Sequence, residues 1–224
     1  MFLATTDYEP VVTDGVDERK RDTLRRFAAL GAAAPFVGSA GADSGDGTDE
    51  ESSAQDDNET REAIRGYLAT TPGAHFSKLR DDLRLGTGET QYHLRRLEDG
   101  GAVESEKDGD YRRYYPADRF DRWEKRALGY LRRETPRRMI LELLAEPDLT
   151  GAALADRIGV SRPTISAAAG ELSDAGILDR EDGYRLEDPE RLIALVVRYA
   201  DSFGPGAVAF ADDLAAYVRH DPRR

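Results

Sequence analysis

Residues 85–116, LGTGETQYHLRRLEDGGAVESEKDGDYRRYYP, hold the order of elements that decides the fold. Leu85-Gly86-Thr87 reads as a turn in which Gly86 or Thr87 has N-cap chemistry. Behind it Thr90, Leu94 and Leu97 recur at i, i+4 and i+7, which is one face of an α-helix. The helix is expected to stop near Gly100-Gly101, because Gly accepts a left-handed C-terminal residue. Alternating segments then flank Asp108-Gly109, a strong hairpin signal.

Working outward, Glu59–Ala69 and Phe76–Arg84 read as two preceding helices joined by a turn at Pro72. The same order returns 75 residues later. Ile64 and Leu68 meet Met139 and Leu143, Leu79 and Leu83 meet Leu154 and Ile158, and Leu97 meets Leu172. Pro72 meets Pro147, Gly101 meets Gly176, and one residue shorter Asp108-Gly109 meets Asp182-Gly183. One domain has been used twice. Three helices with a short turn between the second and third, closed by a hairpin, predict a winged helix-turn-helix in each copy.

The quoted stretch and IGVSRPTISAAAGELSDAGIL (158–178) resemble the helix-turn-helix cores of archaeal winged-helix transcription regulators of the ArsR/MarR/TrmB type. The order of the two resembles haloarchaeal tandem winged-helix regulators. The likeness covers roughly residues 59–188 and implies a sequence-specific DNA-binding transcription regulator with double-stranded DNA as partner. The fold class expected is mainly α with small β wings, two winged helix-turn-helix domains in tandem plus connecting and C-terminal helices. The boundaries are 1–58 for an N-terminal arm and acidic disordered linker, 59–116 for the first winged helix and 117–133 for a linker helix. The second winged helix takes 134–188, and C-terminal helices take 189–224.

Composition sets limits. The chain has 224 residues, 44 Asp and Glu against 32 Lys and Arg, no Cys and a formal charge of −12. Without Cys there is no disulfide scaffold, thiolate nucleophile or zinc ribbon. His75, His93 and His220 lack metal-ligand spacing, so no metal and no cofactor is expected. No Gly-rich phosphate loop or nucleophile elbow occurs, and the chain reads as a non-enzyme. Only four basic residues are Lys. Such carboxylate-rich, Lys-poor surfaces resemble those of halophilic archaeal proteins, so the charge reports the solvent more than the partner. It is also uneven. Residues 1–58 sum to −8 and 134–188 to −6, while 59–133 sum to +2.

Gly38–Glu59 is rich in Gly, Ser and Asp with almost no apolar residue, and is expected to be disordered. Before it, Glu18–Val37 reads as one helix. Arg25-Arg26-Phe27, the apolar run to Val37 and Ala40-Gly41-Ala42 loosely resemble a twin-arginine export signal. The alternatives are a docking or membrane-surface helix or a plain N-terminal arm. The run is too short to span a bilayer, and a cytoplasmic protein without an integral membrane segment is expected.

In a helix-turn-helix the third helix enters the major groove. The first copy's core face directs Thr87, Glu89, Gln91, Tyr92 and Arg95 outward. Gln91 can pair bidentately with adenine, and Arg95 or Arg96 can reach phosphate, with a solvated face as the alternative for Arg96. Glu89 either accepts from a cytosine amino group or favours the helix N-terminus. In the hairpin, Lys107, Arg112 and Arg113 suit phosphate and minor-groove contact, and at least one of Tyr111, Tyr114 and Tyr115 packs the wing to the body. The second copy offers Arg162, Thr164 and Ser166, but its wing is acidic, which favours a supporting or partner-contacting role.

The linker helix, with Phe120, Trp123, Leu128 and Leu131, and the C-terminal stripe of Leu192, Leu195, Val196 and Tyr199 suit a homodimer interface or intramolecular packing. The first copy is expected to be the main reading head. The competing function is a tandem winged-helix protein-interaction module, as in chromosome-condensation or transcription-machinery accessories.

Overall fold

The computed structural model describes residues 20, 22–29 and 48–214, with side chains from residue 55 in the last stretch. Two compact units emerge: Met1–Tyr67 with Ser77–Arg96, and Leu68–Phe76 with Leu97–Arg224.

The first unit holds α1 (22–29, with Lys20 helical ahead of it), most of α2 (Thr48–Thr70), α3 (Phe76–Leu83) and the greater part of α4 (Thr87–Asp99). Its buried side chains include Leu24, Ile64, Tyr67, Leu79, Leu83 and Leu94. Phe27 of α1 meets the Tyr67 ring edge-on at 5.3 Å, and Tyr67 donates its hydroxyl to Asp82 at 2.7 Å. Arg84 adopts a left-handed φ of 57° and reverses the chain between α3 and α4, so that the Leu85 amide donates to Arg80 O at 3.0 Å.

The acidic stretch expected to be disordered up to Glu59 is helical from Thr48. Residues 48–58 contain neither Gly nor Pro, so no residue in them breaks a helix. The first part of that stretch, the continuation of α1 to Val37, the Ala40-Gly41-Ala42 run and the chain beyond Leu214 lie outside the described residues.

The second unit begins with a three-stranded antiparallel sheet, β1 (Ala74–His75), β2 (Val103–Asp108) and β3 (Tyr111–Pro116), in the order β1-β3-β2. In the hairpin register Lys107 faces Arg112 and Asp108 faces Tyr111, with Gly109 at φ 60° making the turn. The linker helix α5 (Arg122–Leu131) starts later than its pattern predicts, because Asp121 and Glu124 form a capping box.

The second copy follows as α6 (Glu134–Ala145), α7 (Gly151–Ile158), α8 (Arg162–Asp174), β4 (Leu178–Asp179) and β5 (Arg185–Leu186). Thr150 and Ser161 cap α7 and α8, and Gly159 at φ 75° ends α7. The chain finishes in α9 (Pro189–Arg198), α10 (Ala200–Phe203) and α11 (Pro205–Asp212). The helix carrying the stripe of Leu192, Leu195, Val196 and Tyr199 breaks at Tyr199, whose φ and ψ of −122° and 20° are not helical.

One apolar cluster holds this unit together. It joins Leu128 and Leu131 of α5, Met139 and Leu143 of α6, Leu154, Ile165 and Leu172 of the second copy, and Leu192, Val196, Phe203 and Phe210 of the last helices. Each such side chain contributes roughly 1.5–3 kcal/mol on burial. The apolar stripes of α5 and α9, read as interface or internal packing, therefore go largely into this core.

Candidate nucleic-acid interface

Helix α4 is ordered from its first turn by its own side chains. Glu89 accepts from the Gly86 amide at 3.1 Å, and the Thr90 hydroxyl donates to Gly86 O at 2.8 Å. The first bond satisfies an amide that the helix start leaves unpaired, while Gly86 O already accepts the Thr90 amide at 2.9 Å. Thr90, Leu94 and Leu97 are buried as the spacing requires, and His93 joins them. Thr87, Gln91, Tyr92, Arg95 and Arg96 are exposed. Arg96 lies against Tyr92, donating to its hydroxyl at 3.1 Å with the guanidinium 5.6 Å from the ring centre. Glu89 is only half exposed. Besides its capping bond it is paired with Lys20 at 2.9 Å, so its carboxylate already has two internal partners.

His93 was not among the sequence candidates. It sits behind the exposed row, with Nε2 3.7 Å from Asp57 and Nδ1 buried without a hydrogen-bond partner among the described residues. Burial holds its pKa below the usual imidazole value, against the opposing pull of Asp57 and Glu89. The signal was present in the heptad: position 93 lies three residues after Thr90 and falls on the same face.

In the first wing Lys107 and Arg112 are exposed. Arg112 donates Nε to the Ser105 hydroxyl at 2.7 Å and keeps most of its side chain in solvent. Arg113 does not fit its expected contact with DNA. It is 2% exposed, donates to Gly73 O at 3.0 Å and pairs with Asp108. The strand continues into Tyr114, Tyr115 and Pro116, all buried, so alternation gives way to a stretch sealed on both faces. Tyr114 and Tyr115 take the packing role, with the Tyr115 hydroxyl donating to Lys125 O at 3.0 Å. Tyr111 remains exposed at the tip.

In the second copy Arg162, Thr164 and Ser166 are exposed on the first turns of α8. Thr164 is occupied locally, its hydroxyl 2.8 Å from that of Ser161. Of the small-residue run, Ala168 and Ala169 are buried and Ala167 is exposed. The other end of α8 is held by the linker helix. Tyr130 donates to Glu171 O at 3.0 Å, Arg133 pairs with Glu171 at 2.8 Å, and Trp123 donates to Gly176 O at 2.9 Å.

Two helix-turn-helix domains in tandem, each closed by a small antiparallel sheet, define the class of this protein. Its similarities run the same way. A family model described as an N-terminal HTH domain matches residues 58–128, and one described as a Crp-like helix-turn-helix domain matches residues 126–195. An uncharacterized HTH-type transcriptional regulator of Methanocaldococcus jannaschii is 31% identical over 130 residues, 58% of this chain. The chain spans about a third (32%) of the length of that relative. No helix among the described residues is long and apolar enough to cross a membrane.

Proposed function

We propose that the chain is a sequence-specific DNA-binding transcription regulator, of haloarchaeal ArsR/MarR/TrmB-like tandem winged-helix type, cytoplasmic and without a catalytic step. The first copy is the main reading head. The observation that carries this is the division of α4, with Thr90, His93, Leu94 and Leu97 buried and Thr87, Gln91, Tyr92 and Arg95 exposed at the surface.

In this reading Gln91 reads a base edge and Tyr92 contacts bases or sugar, with Thr87 beside them at the helix start. Arg95 and Arg96 meet phosphate, and Lys107 and Arg112 bring the wing to the backbone. Glu89 orders the helix N-terminus rather than accepting from cytosine. Arg113 holds the wing in shape. Arg162, Thr164 and Ser166 give the second copy a weaker contact, in keeping with its acidic wing. A homodimer would use the outer faces of the linker or C-terminal helices, where Val197 is exposed, since their inner faces are internal core.

Footprinting of purified protein on genomic fragments, including its own promoter, in concentrated KCl tests the proposal. Sequence-dependent protection is expected, and its absence on every fragment would sink it. The competing reading as a protein-interaction module draws on the net −6 of residues 134–188. A stoichiometric protein partner together with no retention on DNA would establish it instead.

A further inference from the structure

A cleft of about 270 Å³ opens in the second unit between the first wing, α5 and the end of α8. Tyr115 and Tyr130 supply ring surface, and the charged lining sets Lys107 and Arg126 against Glu106 and Asp174. Arg126 is the unusual member. Its neighbours on and after α5 are engaged: Lys125 pairs with Glu104 at 2.7 Å, Arg132 donates to Pro72 O and Ser202 O, and Arg133 holds Asp108 and Glu171. The Arg126 Nε is instead buried with no hydrogen-bond partner among the described residues.

Arg126 lines the cleft and has no hydrogen bond or ion pair among the described residues, so its guanidinium is the group an acceptor brought in from outside would match. The guanidinium fork matches a carboxylate with two parallel bonds. Glu106 and Asp174 share the lining and can accept from an ammonium. The volume lies at the low end of small-ligand clefts, which limits the occupant to a small metabolite.

We infer that this cleft is a binding site for a small organic carboxylate, whose carboxylate group is taken by Arg126. An occupant lies beside Asp108 and Tyr130, two residues joined through contacts of α5 and Arg133 to α8. The site requires no DNA to be measured, so its failure leaves the proposed DNA reading untouched.

The test is calorimetric titration of the full chain with glutarate and with L-glutamate, in the same KCl buffer. Binding of at least one at millimolar concentration or below is expected. Tighter binding of L-glutamate indicates that its ammonium meets Glu106 or Asp174, and tighter binding of glutarate that the carboxylates act alone. Arg126→Met should weaken the better ligand by about tenfold or more, the loss of a charge-assisted pair. Its urea midpoint should stay at or above that of the parent, because an unmatched donor is removed. Should that variant fail to fold, Arg126→Lys decides, and retains charge with a smaller loss of affinity. No heat with either ligand, or undiminished binding by the variants, overturns the inference.

Discussion

Asp108, at the tip of the first wing, is paired with Arg133, which follows the linker helix. The other carboxylate oxygen of Asp108 takes the buried guanidinium of Arg113, while the other arm of Arg133 reaches Glu171 of α8 at 2.8 Å. One carboxylate and two arginines thus tie the first wing to the third helix of the second copy. The wing is held by packing and charge on its body side, which leaves Lys107, Asp110, Tyr111 and Arg112 as its outward side chains.

Removing Asp108 should therefore cost more than removing Arg133. Asp108→Ala leaves Arg113, whose side chain is 3% exposed, without its counter-charge. The expected loss is on the order of 2–3 kcal/mol, below the full range for a completely buried pair because Asp108 is itself partly in solvent. Arg133→Ala removes pairs with Asp108 and Glu171 whose members are 23–53% in solvent, and should cost about 1 kcal/mol or less. Urea midpoints at fixed salt measure both. Equal losses would show that Arg113 does not depend on Asp108.

Two substitutions separate base reading from phosphate contact. Gln91→Ala should relax preference at one base position, by about 1–3 kcal/mol of discrimination. Arg112→Ala should weaken all sequences alike and lower the slope of log K against log salt by about 1. Arg113→Ala, by contrast, should lower the unfolding midpoint before it alters any DNA preference. Titrations of parent and mutated sites at several KCl concentrations check this, and a sequence-dependent effect of Arg112→Ala would contradict it.

Stability should fall on acidification through His93. Burial lowers its folded pKa below the 6.5 of an ordinary imidazole, so below that pH the unfolded chain binds the extra proton first. Stability tied to the neutral ring is fully present above about pH 6.5 and is lost as pH falls further, toward and through the lowered folded pKa. Asp57 and Glu89 limit the loss, and Arg61 and Arg96 deepen it. His93→Leu should flatten the dependence of the urea midpoint between neutral and mildly acidic pH. An unchanged slope in that variant would assign the acid sensitivity to other groups.

Much of this arrangement could be read from sequence spacing, and each exception has its own physical cause. Thr90, Leu94 and Leu97 announced the buried face of α4 because helical periodicity is local. The repeat announced the second copy, since equivalent apolar positions survive where surface residues differ. Arg113 was misread because period-two alternation assumes one wet face, whereas β3 runs into Tyr114-Tyr115-Pro116 and is covered on both sides. Arg133 and Asp108 lie 25 residues apart, and no local pattern marks a pair made by tertiary packing. The helix over 48–58 carries no hydrophobic signature, and in its sequence only the absence of Gly and Pro marks it.

Gly129 tests the same tie from the linker helix. In the interior of α5 an Ala is intrinsically favoured over Gly by roughly 1 kcal/mol. A Cβ at this position, however, would lie 3.2 Å from Asp108 Oδ2 and 3.4 Å from Arg113 Nε. That carboxylate is fixed by two guanidinium groups and cannot retreat without lengthening at least one pairing. Gly129→Ala should consequently destabilise the parent by about 1–2 kcal/mol, since overpacking outweighs propensity. In the Asp108→Ala background the obstacle is gone, and the same change should become neutral or stabilising by up to about 1 kcal/mol. A double-mutant cycle of urea midpoints reads the reversal directly. If Gly129→Ala has the same sign in both backgrounds, the close approach of α5 to the wing is not what selects glycine there.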